Sequence, residues 1–325
     1  MRSLLALLLF LALAAGSSLD FDRYWSTEEI RNYLNELAAD FPTYVSISSF
    51  GITSENRQIW GLNINKNFDL NRPLVIVESG MRAREWVSPM AACSIMHELV
   101  EHHYEFEELL DRVNFLIIPL ANPDGYEYSR TTNRAWIKSR TPNGNGCFGT
   151  DLNRNFGYLW NTVGGSTYPC ADEYIGAGAF SAPETTALRN MLQSNSNRLA
   201  LYLSIQAAGQ MVLYPYGHSA MTNPGNVAQL RNLANDVART LMNQNGKIFT
   251  AGGAGLLQPP ASGSSIDYVA GTSHTDLVFT IRTRSGGNHG YDIPEAELAE
   301  VLSETTHGFL TLAEYVAGQR RLNAV

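Results

Sequence analysis

Residues 73–99, PLVIVESGMRAREWVSPMAACSIMHEL, carry a strand, a turn and a helix in one run. PLVIVES is short, apolar and β-rich, as a strand inside a sheet is. MAACSIMHEL, continuing to His103, has the length and composition of a helix. Strand followed by helix is the unit from which parallel sheets are built. The turn between them, ESGMRAREW, raises a question of chemistry. Glu85 lies three residues after Arg82, and a His in place of Arg82 would make a His-x-x-Glu zinc-binding turn. A permanent cation stands where a metal ligand is expected.

The same alternation extends in both directions. Upstream, Ser26 and Glu29 form a capping box ahead of Ile30, Tyr33, Leu34 and Leu37 at helical spacing. The runs 44–50 (YVSISSF), 59–65 (IWGLNIN) and 114–120 (NFLIIPL) are β-rich, and 199–206 (LALYLSIQ) and 277–283 (LVFTIRT) read as buried strands. Residues 226–246 read as a helix ending at Gly246. A C-terminal helix is predicted from near Pro294 to just before Gly318. The expected fold is one α/β domain, a mixed sheet with helices on both faces. Ligands of such folds bind at the carboxyl ends of the strands, where ESGMRAREW and SIQAAG begin.

Composition narrows the function. The 325 residues are 44% hydrophobic and 17% charged, an ordinary globular balance. A formal charge of −8 and the absence of a basic run argue against a nucleic-acid partner. Met1-Arg2, the apolar stretch Leu4–Leu13 and the small residues that follow read as a signal peptide over 1–16, too short for a membrane anchor. The expectation is a secreted, extracellular protein with no membrane association. Cys93 lies in an apolar helical stretch and is expected to be a buried free thiol. Cys147 and Cys170 lie in polar, Gly-rich segments where an oxidising compartment would allow pairing, which sequence alone does not fix. HELVEHH (97–103) has Glu101, not His, four residues after His97, so it reads as a polar helix face rather than a metalloprotease signature.

The blocks GMRAREWVSP, NPDGYEYSRTTNRAWIKSR, DLNRNFGYLW, SGSSIDY and FTIRTRSGGNHGYDIP together resemble the secreted zinc carboxypeptidases of the pancreatic A/B type, the M14 family. The resemblance spans nearly the whole chain after residue 18. It implies an eight-stranded mixed sheet, a carboxypeptidase-like domain over 19–318 and a Cys147–Cys170 disulfide. Digestive members carry a propeptide, but here FDRYWSTEEI, the family's domain start, follows the expected cleavage region almost at once, so none is expected. It also implies peptide hydrolysis at a zinc held by His, Glu and His, with a separate Glu as base and an Arg at the oxyanion.

Carried over residue by residue, most of that machinery is replaced. The metal positions hold Arg82, Glu85 and Gln206, so Glu85 alone survives as a ligand. The base position holds Arg282, the oxyanion position Ile137, and the position of a substrate-contacting Tyr holds Pro259. Arg has no lone pair to give a metal and cannot accept a proton. The substrate-carboxylate positions Asn153 and Arg154 remain, as do Arg84 and Arg134. Ile266 occupies the side-chain selectivity position and leans toward apolar C-terminal residues, and His289-Gly290-Tyr291 alters one wall of that pocket. The expectation is therefore a catalytically inactive family member without a cofactor, zinc being implied by resemblance only. Its expected partners are peptide C-termini or small anions, gathered by a cleft lined by Arg82, Arg84, Arg134, Arg154 and Arg282. Arg82 or Arg282 is expected to make a forked pair with Glu85. Two alternatives stand beside this one. The first is an active zinc enzyme removing apolar C-terminal residues through a rebuilt site, which would need replacement ligands; the loops show no histidine at a plausible position, His218 following LYPYG and His274 and His289 flanking the base strand. The second is a non-catalytic structural or partner-binding protein.

Overall fold

The structure, a computed structural model, describes residues 20–66, 71–273 and 275–323, with 319–323 described by backbone alone. The signal-peptide reading over 1–16 and His274 lie outside the described residues. The first helix, α1 (Thr27–Asp40), opens on the capping box: Ser26 accepts from the Glu29 amide while Glu29 accepts from the Ser26 amide. Eight strands follow: β1 (Val45–Ile52), β2 (Gln58–Ile64), β3 (Leu74–Ser79), β4 (Asn114–Ile118), β5 (Leu199–Gln206), β6 (Met211–Tyr214), β7 (Thr250–Gly253) and β8 (Leu277–Arg282). The helices between and after them are α2 (Val87–Glu101), α3 (Glu107–Leu110), α4 (Pro123–Thr131), α5 (Pro183–Ser194), α6 (Val227–Asn245), α7 (Ala254–Leu257), α8 (Ser265–Thr272) and α9 (Leu298–Asn323).

The strands form one mixed sheet in the order β1-β2-β4-β3-β5-β8-β6-β7. Its centre, β4-β3-β5-β8, is parallel, and β6 runs antiparallel to β8. All six residues of β3 are buried, because both faces of the sheet are covered. Val75 and Val77 pack into the core beneath α1, α2, α6 and α9, while Leu74 and Ile76 point into the core beneath α5 and α8. That split is the two-residue alternation of a strand expressed in three dimensions. The chain leaves β3 through Gly80, whose φ of +67° and approach to Leu120 exclude a side chain.

Two strands escape the sequence reading. β6 and β7 are four residues each, too short to display a period, and the TAGG of β7 has almost no side chain to read. The C-terminal helix also differs. It begins at Leu298, after a 3₁₀ turn at Glu295–Glu297, and its backbone continues through Gly318 to Asn323. A glycine alone does not stop a helix that tertiary packing holds; Leu312, Ala313 and Val316 anchor this one in the core. α6 ends as expected, with Gly246 at φ +70° as its left-handed cap. HELVEHH falls on the last turn of α2, where His97 bonds Glu101 and His102 bonds Glu98.

A candidate anion-binding cleft at the carboxyl end of the sheet

Adjacent parallel strands bring together residues far apart in sequence. β3 ends at Ser79 and leads into the Arg82–Glu85 turn, while Gln206 and Arg282 are register partners at the ends of β5 and β8. The turn is held from behind. The Asn122 amide donates to the Met81 carbonyl at 3.0 Å, and the Ala83 amide donates to the Ile137 carbonyl at 3.1 Å. Glu85, 3% exposed, accepts a hydrogen bond from the Ala207 amide at 2.8 Å, so one carboxylate oxygen is fixed by backbone.

The Arg82 guanidinium sits over this carboxylate. Its Nη1 lies 3.6 Å from Glu85 Oε1 and donates to Gln206 Oε1 at 3.3 Å. Its Nε lies 3.9 Å from Asp151 Oδ1 but has no hydrogen-bond acceptor. The pairing with Glu85 is thus a single contact rather than a fork, because Arg82 is shared between two carboxylates. Burial pulls the pKa of Arg82 down, but Asp151, Glu85 and Glu78 together outweigh it and hold it above the ordinary value. Arg282 does not bond Glu85. Its Nη2 donates to the Ala207 carbonyl at 3.3 Å, and its Nε is buried without a partner. Burial lowers the Arg282 pKa against the opposing effect of Glu85, and Arg82 and Arg84 lower it further. A guanidinium stays charged under such pressure.

Two adjoining cavities, of about 430 and 370 Å³, open here and share Arg82, Arg154 and Arg282 in their walls. The larger one also takes in Arg84, Glu85, Ile137 and the His289-Gly290-Tyr291 segment. The smaller has an apolar floor that includes Leu213, Leu257 and Ile266, with Pro259 and Asn153 on its wall. Ile266 is 5% exposed. Arg154 forms an ion pair with Asp151 and donates from Nε to the Gly164 carbonyl at 2.7 Å. Asn153 Oδ1 accepts from the Ser265 amide at 3.1 Å.

Arg134 departs from the expected cleft wall. It lies outside both cavities, donating to the Arg84 carbonyl at 2.7 Å and pairing with Asp292 at 2.7 Å, its guanidinium 3.7 Å from the Trp86 ring centroid. Arg134 and Arg84 both stack on Tyr291, so the aromatic wall and the cations support one another. His218 and His289 point to carboxylates of their own: His218 Nδ1 is 2.9 Å from Asp267, and His289 bonds Asp292.

Two carboxyl groups central to this region were not singled out in the sequence. Asp151, fully buried, is the shared counter-ion of Arg82 and Arg154, and its one legible sign was the three-residue spacing to Arg154 in DLNRNF. Glu78, on β3 beneath the turn, accepts from the Tyr202 hydroxyl at 2.8 Å and leaves its other oxygen unbonded. Burial raises its pKa to about 8, aided by Glu85 and opposed by Tyr202, Ser204 and Arg82, so it is largely protonated at neutral pH.

The donor set does not fit a hydrolytic zinc. Glu85 and Gln206 offer one carboxylate and one neutral amide oxygen, flanked by two guanidiniums, whereas such a centre takes three strong ligands and an open position. Among the described residues no group of three His, Cys, Asp or Glu side chains is arranged to hold a metal ion. The larger cavity sets Arg82, Arg84, Arg154 and Arg282 beside Glu85, Asp151, Asp172 and Glu173, whereas the smaller one is lined by Arg82, Arg154 and Arg282 with no carboxylate.

Cys147 and Cys170 form a disulfide, and Cys93 is free and buried. No helix among the described residues is long and apolar enough to cross a membrane. Compared with known proteins, residues 30–308 match the Peptidase M14 family, described as zinc carboxypeptidase. The zinc carboxypeptidase A 1 of Drosophila melanogaster is 34% identical over 310 residues, 93% of this chain and 72% of that protein. The carboxypeptidase B of Astacus astacus is 31% identical over 300 residues, covering 92% of this chain and 98% of that one. The crystal structure of carboxypeptidase A from Helicoverpa armigera superposes with a TM-score of 0.87 at 33% identity, over 94% of this chain and 78% of that chain.

Proposed function

The chain belongs to the zinc carboxypeptidase family, and from that premise we propose that it is a secreted, non-hydrolytic member that binds peptide C-terminal carboxylates or small anions. One observation carries the reading. At the end of the central strands, Arg82, paired with Glu85 and Asp151, and Arg282, bonded to the Ala207 carbonyl, stand in the place where the family's chemistry needs metal ligands and a base. Each substitution opposes hydrolysis for its own reason. Arg82 repels a divalent cation and gives it no lone pair. Arg282 cannot take a proton from water. Ile137 offers no donor to a developing oxyanion, and loss of one such donor alone costs a factor of about 10²–10³ in rate.

The same arginines favour binding. Arg82, Arg154 and Arg282 line both cavities, and Asn153 adjoins Arg154 on the wall of the smaller one. A fork of guanidinium donors is the usual grip on a carboxylate. Low-dielectric walls make such a field stronger than the same charges would produce in open water.

The test has two arms. Metal content of the purified protein, with and without added zinc, is measured beside hydrolysis of standard C-terminal peptide substrates. Less than a tenth of a zinc per chain and no chelator-sensitive turnover are expected; one zinc per chain with chelator-sensitive turnover refutes the reading. Calorimetric titration then compares short peptides with free and amidated C-termini. Free ends are expected to bind at least about tenfold more tightly, the scale of a charge-assisted hydrogen bond.

A further inference from the structure

The smaller cavity has an unbalanced charge. Three of its lining residues are arginines, Arg82, Arg154 and Arg282, and none is an aspartate or glutamate. The carboxylates nearest these cations line the adjoining larger cavity instead, where Glu85, Asp151, Asp172 and Glu173 share the wall with the arginines. Asp151 serves both Arg82 and Arg154, and Glu85 serves Arg82. Arg282 is left with the neutral Ala207 carbonyl and no carboxylate within ion-pair distance among the described residues. Of the three guanidiniums, Arg282 alone lacks a carboxylate within ion-pair distance on this side of the cleft.

The position of that charge matters. Arg282 ends β8, two residues beyond Thr280, so the two side chains leave the same face of the strand, and both line the smaller cavity. An uncompensated guanidinium beside a pocket floored by Leu213, Leu257 and Ile266 is costly unless a ligand supplies the missing anion. A floor of that kind accepts methylene groups, and the Arg82–Arg282 edge above it accepts an oxyanion.

Resting on the carboxylate-binding reading above, we propose that this pocket takes a ligand with two anionic groups on a short tether, above all a peptide ending in Glu or Asp. The C-terminal carboxylate lies on Arg154 and Asn153. The side-chain carboxylate lies on Arg282, with Arg82 beside it, and the methylenes cover the apolar floor. Arg282 is thereby a specificity-determining residue that overrides the apolar preference suggested by Ile266.

Calorimetric titration of the intact protein with three N-acetylated pentapeptides, identical except for a terminal Glu, Gln or Leu, tests this. The Glu peptide is expected to bind at least about tenfold more tightly than the isosteric Gln peptide, as expected for one charge-assisted contact. In Arg282→Gln that preference falls to within about twofold. Equal binding of the Glu and Gln peptides by the unaltered chain overturns the proposal, as does a preference that survives Arg282→Gln. The first comparison needs no variant, so it decides even if Arg282→Gln fails to fold. Amidated peptides separate the two readings. If free ends outbind amidated ends but Glu has no advantage, only the present inference falls. If free and amidated ends bind alike, or no peptide binds, the carboxylate grip falls and this inference with it. Glutarate that competes as well as the Glu peptide supports the two-anion pocket and places its source in a free diacid.

Discussion

Replacing Glu85 by Gln isolates the electrostatics of the cleft floor, because it removes one charge and almost no volume. The Ala207 amide keeps an oxygen acceptor, so the 2.8 Å backbone bond can survive. What disappears is the anion 3.6 Å from Arg82. At an effective dielectric constant of about 20, that separation corresponds to roughly 5 kcal/mol of attraction. Asp151, 3.9 Å from Arg82, contributes a comparable attraction and remains. The desolvation of Glu85 itself is also relieved in the variant. Removing one member of a buried pair costs about 3–5 kcal/mol, and these two offsets place Glu85→Gln at the lower end, about 3 kcal/mol. Urea unfolding, with the slope checked for constancy, measures it. The double variant Arg82→Met/Glu85→Gln is expected to lose less than the sum of the two single changes, since it leaves no stranded charge. A loss below about 0.5 kcal/mol for Glu85→Gln, or simple additivity in the double variant, refutes the account of Glu85 as the counter-ion. Arg82→His on its own is expected to restore no tight zinc binding, because Arg282 and Gln206 remain; zinc uptake by that variant would show that the cations are not the obstacle.

Two further outcomes follow from buried groups. Glu78 and Glu184 are held protonated by burial, with pKa values raised to about 8 and about 7. An unfolded Glu titrates near 4.3, so the folded chain retains protons that the unfolded chain has lost. Their contribution to stability is therefore complete below pH of about 4 and is lost as pH rises through about 7 to 8. Thermal unfolding between pH 5 and 9 should show this decline, and Glu78→Gln should make it shallower; an unchanged slope in that variant contradicts the assignment. The Cys147–Cys170 disulfide closes a loop with a sequence separation of 23. Replacing both cysteines by Ala is expected to cost about 3 kcal/mol by loop entropy, read as a lower urea midpoint, and a midpoint shift worth under about 1 kcal/mol would count against it.

The sequence by itself determined the alternation of strand and helix, and with it the end of the sheet at which a site would form. Runs such as LVIV and LALYL are apolar on both sides and can only lie inside a covered sheet, whatever else the chain does. The replacements at Arg82, Gln206 and Arg282 were equally legible, since the chemistry of a guanidinium or an amide is independent of where it sits. Partnership was not legible. Arg82 and Glu85 are three residues apart, yet half of the answer to Arg82 comes from Asp151, nearly seventy positions on, and only the packing of β3 against the following loops brings them within reach. Arg134 carries the same side chain as Arg154, but Asp292 and Trp86 draw it behind the wall while Arg154 stays on it. Whether a charge is compensated depends on distances of a few ångströms and on burial, both set by chain crossings that local sequence does not encode. That is why Arg282 could be named from the sequence, while its lack of a carboxylate partner, the property that makes it a candidate ligand site, was decided only by the tertiary structure.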